Sequence, residues 1–140
     1  MTSRSNNSLA KTLAAFDRLK EQPRKALVAA LQKSAEELAA AQRALAPEDT
    51  GDLKDSIAVT PAGRSTPAYS QPGGSMVVPL NAVAVTVGNS EVRYPHLVEY
   101  GTATTEAQPY FWRGFRLVRP KLMNRITRTG RAAVRKSWES

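Results

Sequence analysis

The stretch from Pro109 to about Ser137 constrains the fold of this chain more than any other. At about 100° per residue, Phe111, Phe115, Val118, Leu122, Ile126 and Ala133 fall in one arc, roughly 140–220° from Arg113. Arg113, Lys121, Arg125, Arg128, Arg131 and Arg135 fall between roughly 0° and 120°. The arcs do not overlap, so the spacing predicts a basic amphipathic helix over 109–137. One face is for a core and the other is turned outward. Pro120 lacks the N–H an interior helical position donates, so it kinks or breaks a helix. The apolar stripe keeps its phase across Pro120, which predicts one kinked helix and not two.

A second helix is predicted from Arg24 to Ala46, where Leu27, Leu31, Leu38 and Leu45 mark one face and alanines fill the rest. Pro23 suits its first position, because the missing N–H would be unpaired there, and Pro47 closes it. Leu9, Leu13 and Phe16 also recur at helical spacing. Residues 1–8 are polar, are expected to be flexible, and lack the apolar region of a secretory signal.

Between the helices the pattern shortens. Glu48 to Ser56 is a polar connector, and Ile57 and Val59 alternate with polar neighbours as in a strand. Residues 61–75 hold three prolines and three glycines without periodicity. Such a loop buries too little to offset its ordering entropy, so it is predicted to be mobile in the isolated subunit and to order on assembly. Arg64 and Tyr69 are its candidate contacts. Met76–Leu80 and Ala82–Val87 read as strands, the first at a sheet edge because Pro79 cannot donate to a ladder. Gly88-Asn89 is a turn. Pro95–Tyr100 makes a helical turn that Gly101 ends in the left-handed region. The expectation is one α+β domain over residues 1–140. Its small antiparallel or mixed sheet packs against an N-terminal helix and a long C-terminal helix.

Charge narrows the partners. Residues 1–60 are net +1, residues 61–112 net −1, and residues 113–140, with nine basic side chains against Glu139, net +8. An excess localised in this way points to a polyanion, either nucleic acid or an acidic protein surface. No apolar run approaches the roughly 20 residues of a bilayer span, so no membrane partner is expected. The absence of cysteine removes disulfides and thiolate metal sites.

Catalytic patterns are poorly supported. Asp49-Thr50-Gly51 is the triplet aspartic proteases place at their carboxylate, and a homodimer could supply the required pair. Here Pro47-Glu48 and Asp52 flank it, where a buried strand and a small residue belong. The plainer reading has Thr50 capping a short helical turn with Asp52 near its positive end. Asp49, Asp52 and Asp55 lack the alternate oxygens and closing Glu of a calcium loop. His96 is the single histidine. It could serve a hydroxyl nucleophile only with a carboxylate such as Glu91 or Glu99 to orient it, and no Gly-x-Ser-x-Gly elbow occurs. Gly73-Gly74 is not followed by the Gly-Lys of a phosphate loop. No cofactor is expected.

Several segments, in order, resemble one family. Pro47-Glu48-Asp49-Thr50-Gly51-Asp52-Leu53-Lys54-Asp55-Ser56-Ile57 resembles a P-x-x-T-G-x-L-x-x-S-I signature, and Val85-Thr86-Val87-Gly88 a strand ending in glycine. Tyr94 to Thr102 resembles Y-x-x-x-V-E-[FY]-G-T, carrying Glu99, Gly101 and Thr102. Gln108-Pro109-Tyr110-Phe111 stands where the family opens its last helix, although Trp112-Arg113-Gly114 replaces the usual L-R-P-A run. The family is the tail-component group of long-tailed phages, neck and tail-completion proteins typified by the tenth gene product of a lambda-like phage. The resemblance, over roughly residues 24–137, implies a non-enzymatic α+β subunit that forms a ring, hexamer or dodecamer, in the virion neck. Its implied neighbours are head-connector and tail proteins, with possible contact to packaged DNA, after assembly in the host cytoplasm. It leaves open the tail terminator of the same neck. The residues by themselves leave open a free-standing DNA-binding module.

Overall fold

The computed structural model describes residues 21–47 and 51–139. In chain order these form α1 (Glu21–Leu45), α2 (Asp52–Asp55), β1 (Ala58–Thr60), β2 (Ala84–Thr86), α3 (Pro95–Tyr100) and α4 (Phe111–Glu139). The fold is α+β. The two long helices lie antiparallel, since Gln42 meets Gly114, Ser34 and Glu37 meet Arg125, and Leu27 meets Ala133. The sheet is a two-stranded antiparallel pair with Val59 opposite Val85.

The expected apolar arc of α4 is the face that packs: Phe111, Leu122 and Ala133 are buried, and Phe115, Val118 and Ile126 are half-buried. One helix runs through Pro120. On α1 the most deeply buried side chains are not the leucines, although Leu27 packs on Ala133 and Ser34 is buried beside Arg125. Ala35, Ala39, Gln42 and Ala46 are buried, whereas Leu27, Leu31 and Leu38 are half-buried and Leu45 is exposed. Ala35, Ala39 and Gln42 lie roughly 70° round the helix from the leucine row at 100° per residue. Small side chains let two backbones approach, and the close approach selects those positions. The helix is already formed at Glu21, so Pro23 stands inside it and does not begin it. The spacing of Leu9, Leu13 and Phe16, and the polar residues 1–8, lie outside the described residues.

The main core joins Ala39, Ala46, Leu53, Ile57, Val87, Val92, Tyr110 and Phe111. It therefore draws on both long helices, the α2 turn, and the ends of the sheet.

The strand predicted over Met76–Leu80 does not form. Only Val77 makes an isolated bridge, to Ser65, and Val78 exchanges hydrogen bonds with residues 63 and 64 instead of extending the sheet. Pro79 cannot continue a ladder. The second predicted strand shortens to β2, with Val87 continuing as a bridge to Gln71.

Residues 61–75 contain no helix or named strand, yet they have backbone ties. Gly63 N–H donates to Val78 O at 2.8 Å, Thr66 N–H to Met76 O at 2.8 Å, and Gln71 and Val87 bond each other at 2.8 and 3.0 Å. Ser70 and Thr66 are buried. In the isolated subunit the amides of Gly63, Thr66 and Gln71 are expected to exchange more slowly than those of Gly73 and Gly74. Hydrogen exchange followed by mass spectrometry or NMR measures this. Uniformly fast exchange across 61–75 would mean that the segment orders only on assembly.

Candidate functional site

The described residues of the first motif meet at one joint. Leu53 and Ile57 enter the core. The Ser56 hydroxyl donates to Leu53 O at 2.7 Å and accepts from Gly88 N–H at 3.1 Å, so it fastens the α2 turn to the chain leaving β2. Arg43 Nη2 reaches over from α1 to Ile57 O at 2.7 Å. The N-cap of the turn is Gly51, left-handed at φ 80° and ψ −13° and without a side-chain cap bond. Glu48, Asp49 and Thr50 lie outside the described residues, and Asp52 is exposed at the first helical position.

The second motif builds the N-terminus of α4. Glu99 is buried on α3, and its Oε2 accepts from the backbone N–H groups of Tyr110 and Phe111, each at 2.9 Å. Its Oε1 accepts from Trp112 N–H at 3.3 Å. The first N–H groups of a helix have no partner within it, and a carboxylate there also meets the positive end of the macrodipole. Both carboxylate oxygens are thereby committed, which makes Glu99 a structural acceptor. Gly101 ends α3 at φ 78° and ψ 175°, an extended positive-φ region that glycine alone adopts readily and not the left-handed region expected. A Cβ there would sit 2.8 Å from Ala107 N. The Thr102 hydroxyl accepts from Thr105 N–H at 3.0 Å and closes the turn. Tyr110 is fully buried, and its hydroxyl donates to Pro95 O at 3.4 Å. Burial, and then the nearby Glu99 charge, hold its phenol protonated beyond the ordinary tyrosine range.

Of the predicted basic arc, Arg113, Lys121, Arg128, Arg131 and Arg135 are exposed and Arg125 is not. Arg125 turns onto α1, with Nη2 2.8 Å from Glu37 Oε1 and Nη1 3.4 Å from Ser34 Oγ. Lys121 Nζ lies 3.7 Å from the other Glu37 oxygen. The Arg125 hydrogen bond holds the Glu37 carboxyl below the usual range. Arg125 is at the edge of the arc, where an outward side chain can still reach the neighbouring helix. It belongs to the α1–α4 packing and not to the outward surface.

The outward face of α4 also carries large apolar side chains. Leu117 and Trp138 are 70% and 85% exposed. With Arg113, Arg128, Arg131 and Arg135 they fall in one sector about 80° wide at 100° per residue. Sequence reading notes Trp138 among the basic residues as too sparse for a base-stacking platform, and misses Leu117 because it is a single apolar residue among charges. In the candidate assembly loop, Arg64 is exposed, and Tyr69 is exposed at φ 62° with the Arg93 guanidinium 3.6 Å above its ring. A small groove of about 80 Å³ opens between the 71–72 loop, α3 and the start of α4. His96, Tyr100 and Trp112 form its rim, and the Trp112 indole N–H donates to Tyr100 Oη at 3.1 Å.

Among the described residues no group of acidic, histidine or cysteine side chains could hold a metal ion. No helix there is long and apolar enough to cross a membrane.

Neither the curated proteins nor the solved structures contain a match to the chain. A family model does match, described as "Bacteriophage HK97-gp10, putative tail-component", over residues 10–101. The match takes in the Gly51–Ile57 joint and the Glu99–Gly101 turn and stops before α4, short of the extent the motif resemblance implied. The chain belongs to the HK97-gp10 family of bacteriophage tail components.

Proposed function

We propose that the chain is a structural subunit of the phage head–tail connector, a neck or tail-completion protein that forms a ring joining head to tail. On this reading it is assembled in the host cytoplasm and carried in the neck of the virion, with no catalytic role. Membership of a tail-component family supports a structural role in the phage particle. The observation that carries the rest is the outward face of α4. Arg113, Arg128, Arg131 and Arg135 share it with exposed Leu117 and Trp138, and none of these arginines has an acidic partner among the described residues. Trp and Arg are enriched in protein interfaces and dominate their energetic centres. Phosphate contacts along a duplex make no use of Leu117. The partner favoured is therefore an acidic, partly apolar protein surface, such as an adjoining connector or tail ring, the tail terminator being the alternative place for this chain in the same neck.

Reversing Arg128, Arg131 and Arg135 to Glu should leave folding intact, at about ±0.5 kcal/mol per surface site. Electron microscopy of the mutant lysate should then show separate heads and tails. Arg125→Glu should behave differently and lower the melting temperature, because it sets two carboxylates against each other across α1 and α4. Duplex DNA binding distinguishes the other partner. Strong binding by the wild type with a steep salt slope, lost in the triple variant, would replace the protein neighbour with DNA.

A further inference from the structure

We infer that copies of this chain meet through two different patches, the 76–80 projection of one seated in the His96–Tyr100–Trp112 groove of the next. The inference rests on the ring reading and names the contact that would build the ring.

Charge decides which part of the molecule can face another copy. Residues 113–140 are net +8 and residues 61–112 net −1. Two α4 faces brought together would repel, whereas the 61–112 region approaches its like almost without charge. Self-association is therefore directed to the middle of the chain, where, besides Tyr69, Tyr94 and Leu97, the exposed large apolar side chains form two sets. One is the 76–80 segment, where Met76, Val77 and Leu80 are exposed around a buried Val78, Leu80 at 73%. The other lines the groove, where Tyr100 and Trp112 are exposed, Tyr100 at 70%.

Shape decides how the sets pair. The groove holds about 80 Å³, roughly half of the 150 Å³ that admits a benzene ring, which suits one aliphatic side chain. Two grooves facing each other would enclose a void, and two projections would touch only at their tips. Projection into groove is the complementary pairing, and it joins unlike patches. A contact between unlike patches is heterologous, and it generates a closed ring when the rotation closes.

Both partners are also preorganised, which lowers the ordering cost of association. Val78 N–H donates to Arg64 O at 2.9 Å, and Met76 O accepts from Thr66 N–H at 2.8 Å, fixing the projection. The groove wall is held by the three N–H bonds to Glu99.

The chain has no cysteine, so engineered thiols report the contact without interference. The double variant Leu80→Cys/His96→Cys, treated with a short thiol-to-thiol crosslinker, should give a ladder of covalent oligomers on a denaturing gel. A mixture of the two single variants should stop at dimers, and either single variant alone should stay monomeric. Dimers from Leu80→Cys alone would overturn the heterologous pairing. Rings seen by electron microscopy of the double variant, with no ladder, would overturn this contact and keep the ring. A chain that sediments as a monomer at every concentration and gives no ladder would remove both.

Discussion

Replacing Glu99 with alanine is expected to cost about 4 kcal/mol, a large part of the roughly 5–15 kcal/mol that holds a domain folded. The carboxylate is the acceptor for the N–H groups of Tyr110 and Phe111, both buried residues of the main core. A buried donor left without a partner costs about 1–3 kcal/mol, and two are orphaned together. Alanine also removes the negative charge at the start of α4, which carries no acidic residue in its first turn. Glu99→Gln keeps an acceptor oxygen but turns an amide N–H₂ towards another donor, so an intermediate loss is expected. Urea denaturation measures both, and an unchanged slope would show that midpoint shifts report stability and not a change in the unfolded state. A midpoint for Glu99→Ala within error of wild type would show that water replaces the carboxylate and that the joint does not depend on it.

Gly114→Ala should destabilise the chain, although helix propensity predicts the opposite. Alanine normally stabilises a helix interior by about 1 kcal/mol over glycine. At position 114 a Cβ would lie 2.8 Å from Gln42 Cγ and 3.1 Å from the Gln42 Cα and N atoms. The Cγ can move, but the backbone atoms can retreat only if α1 and α4 separate. Separation would stretch the 3.0 Å bond from Gln42 Nε2 to Phe111 O, made by a side chain that is fully buried. Overpacking typically costs about 1–3 kcal/mol, which outweighs the propensity gain, so a net loss of about 1 kcal/mol is expected. Gly130→Ala is the internal comparison. Its Cβ would meet only Leu27 Cδ1, at 4.0 Å, so it should gain up to about 1 kcal/mol. Thermal melts of the pair should move in opposite directions, and movement in the same direction would contradict the close approach at Gly114.

The two glycines look alike in the sequence, and the same holds for much of what separates the legible from the hidden here. Periodicity is a local property of a chain, so the length of α4, its inward arc from Phe111 to Ala133 and its basic outer arc could be read directly. The α+β class followed from the same patterns, and the ordered motifs from Gly51 to Ile57 and from Tyr94 to Thr102 carried the family. The leucine row of α1 marked an apolar side of the helix but not which small residues, Ala35 and Ala39 among them, a neighbour would approach most closely. Met76–Leu80 misled because a β-branched run specifies extended backbone without specifying a partner, and the partner turned out to be residues 63–66. Arg125 was legible as charge but not as an ion pair, since Glu37 lies 88 positions away and only the α1–α4 packing brings it within 2.8 Å. Glu99 was visible as a motif residue, but its task was not, because it caps a helix that begins 12 residues later. The sequence by itself determined the two long helices, the segregation of charge and the family. The tertiary structure alone decided which polar groups are spent inside the molecule and which remain for a partner. Those pairings are made across space by packing, and no spacing along the chain encodes them.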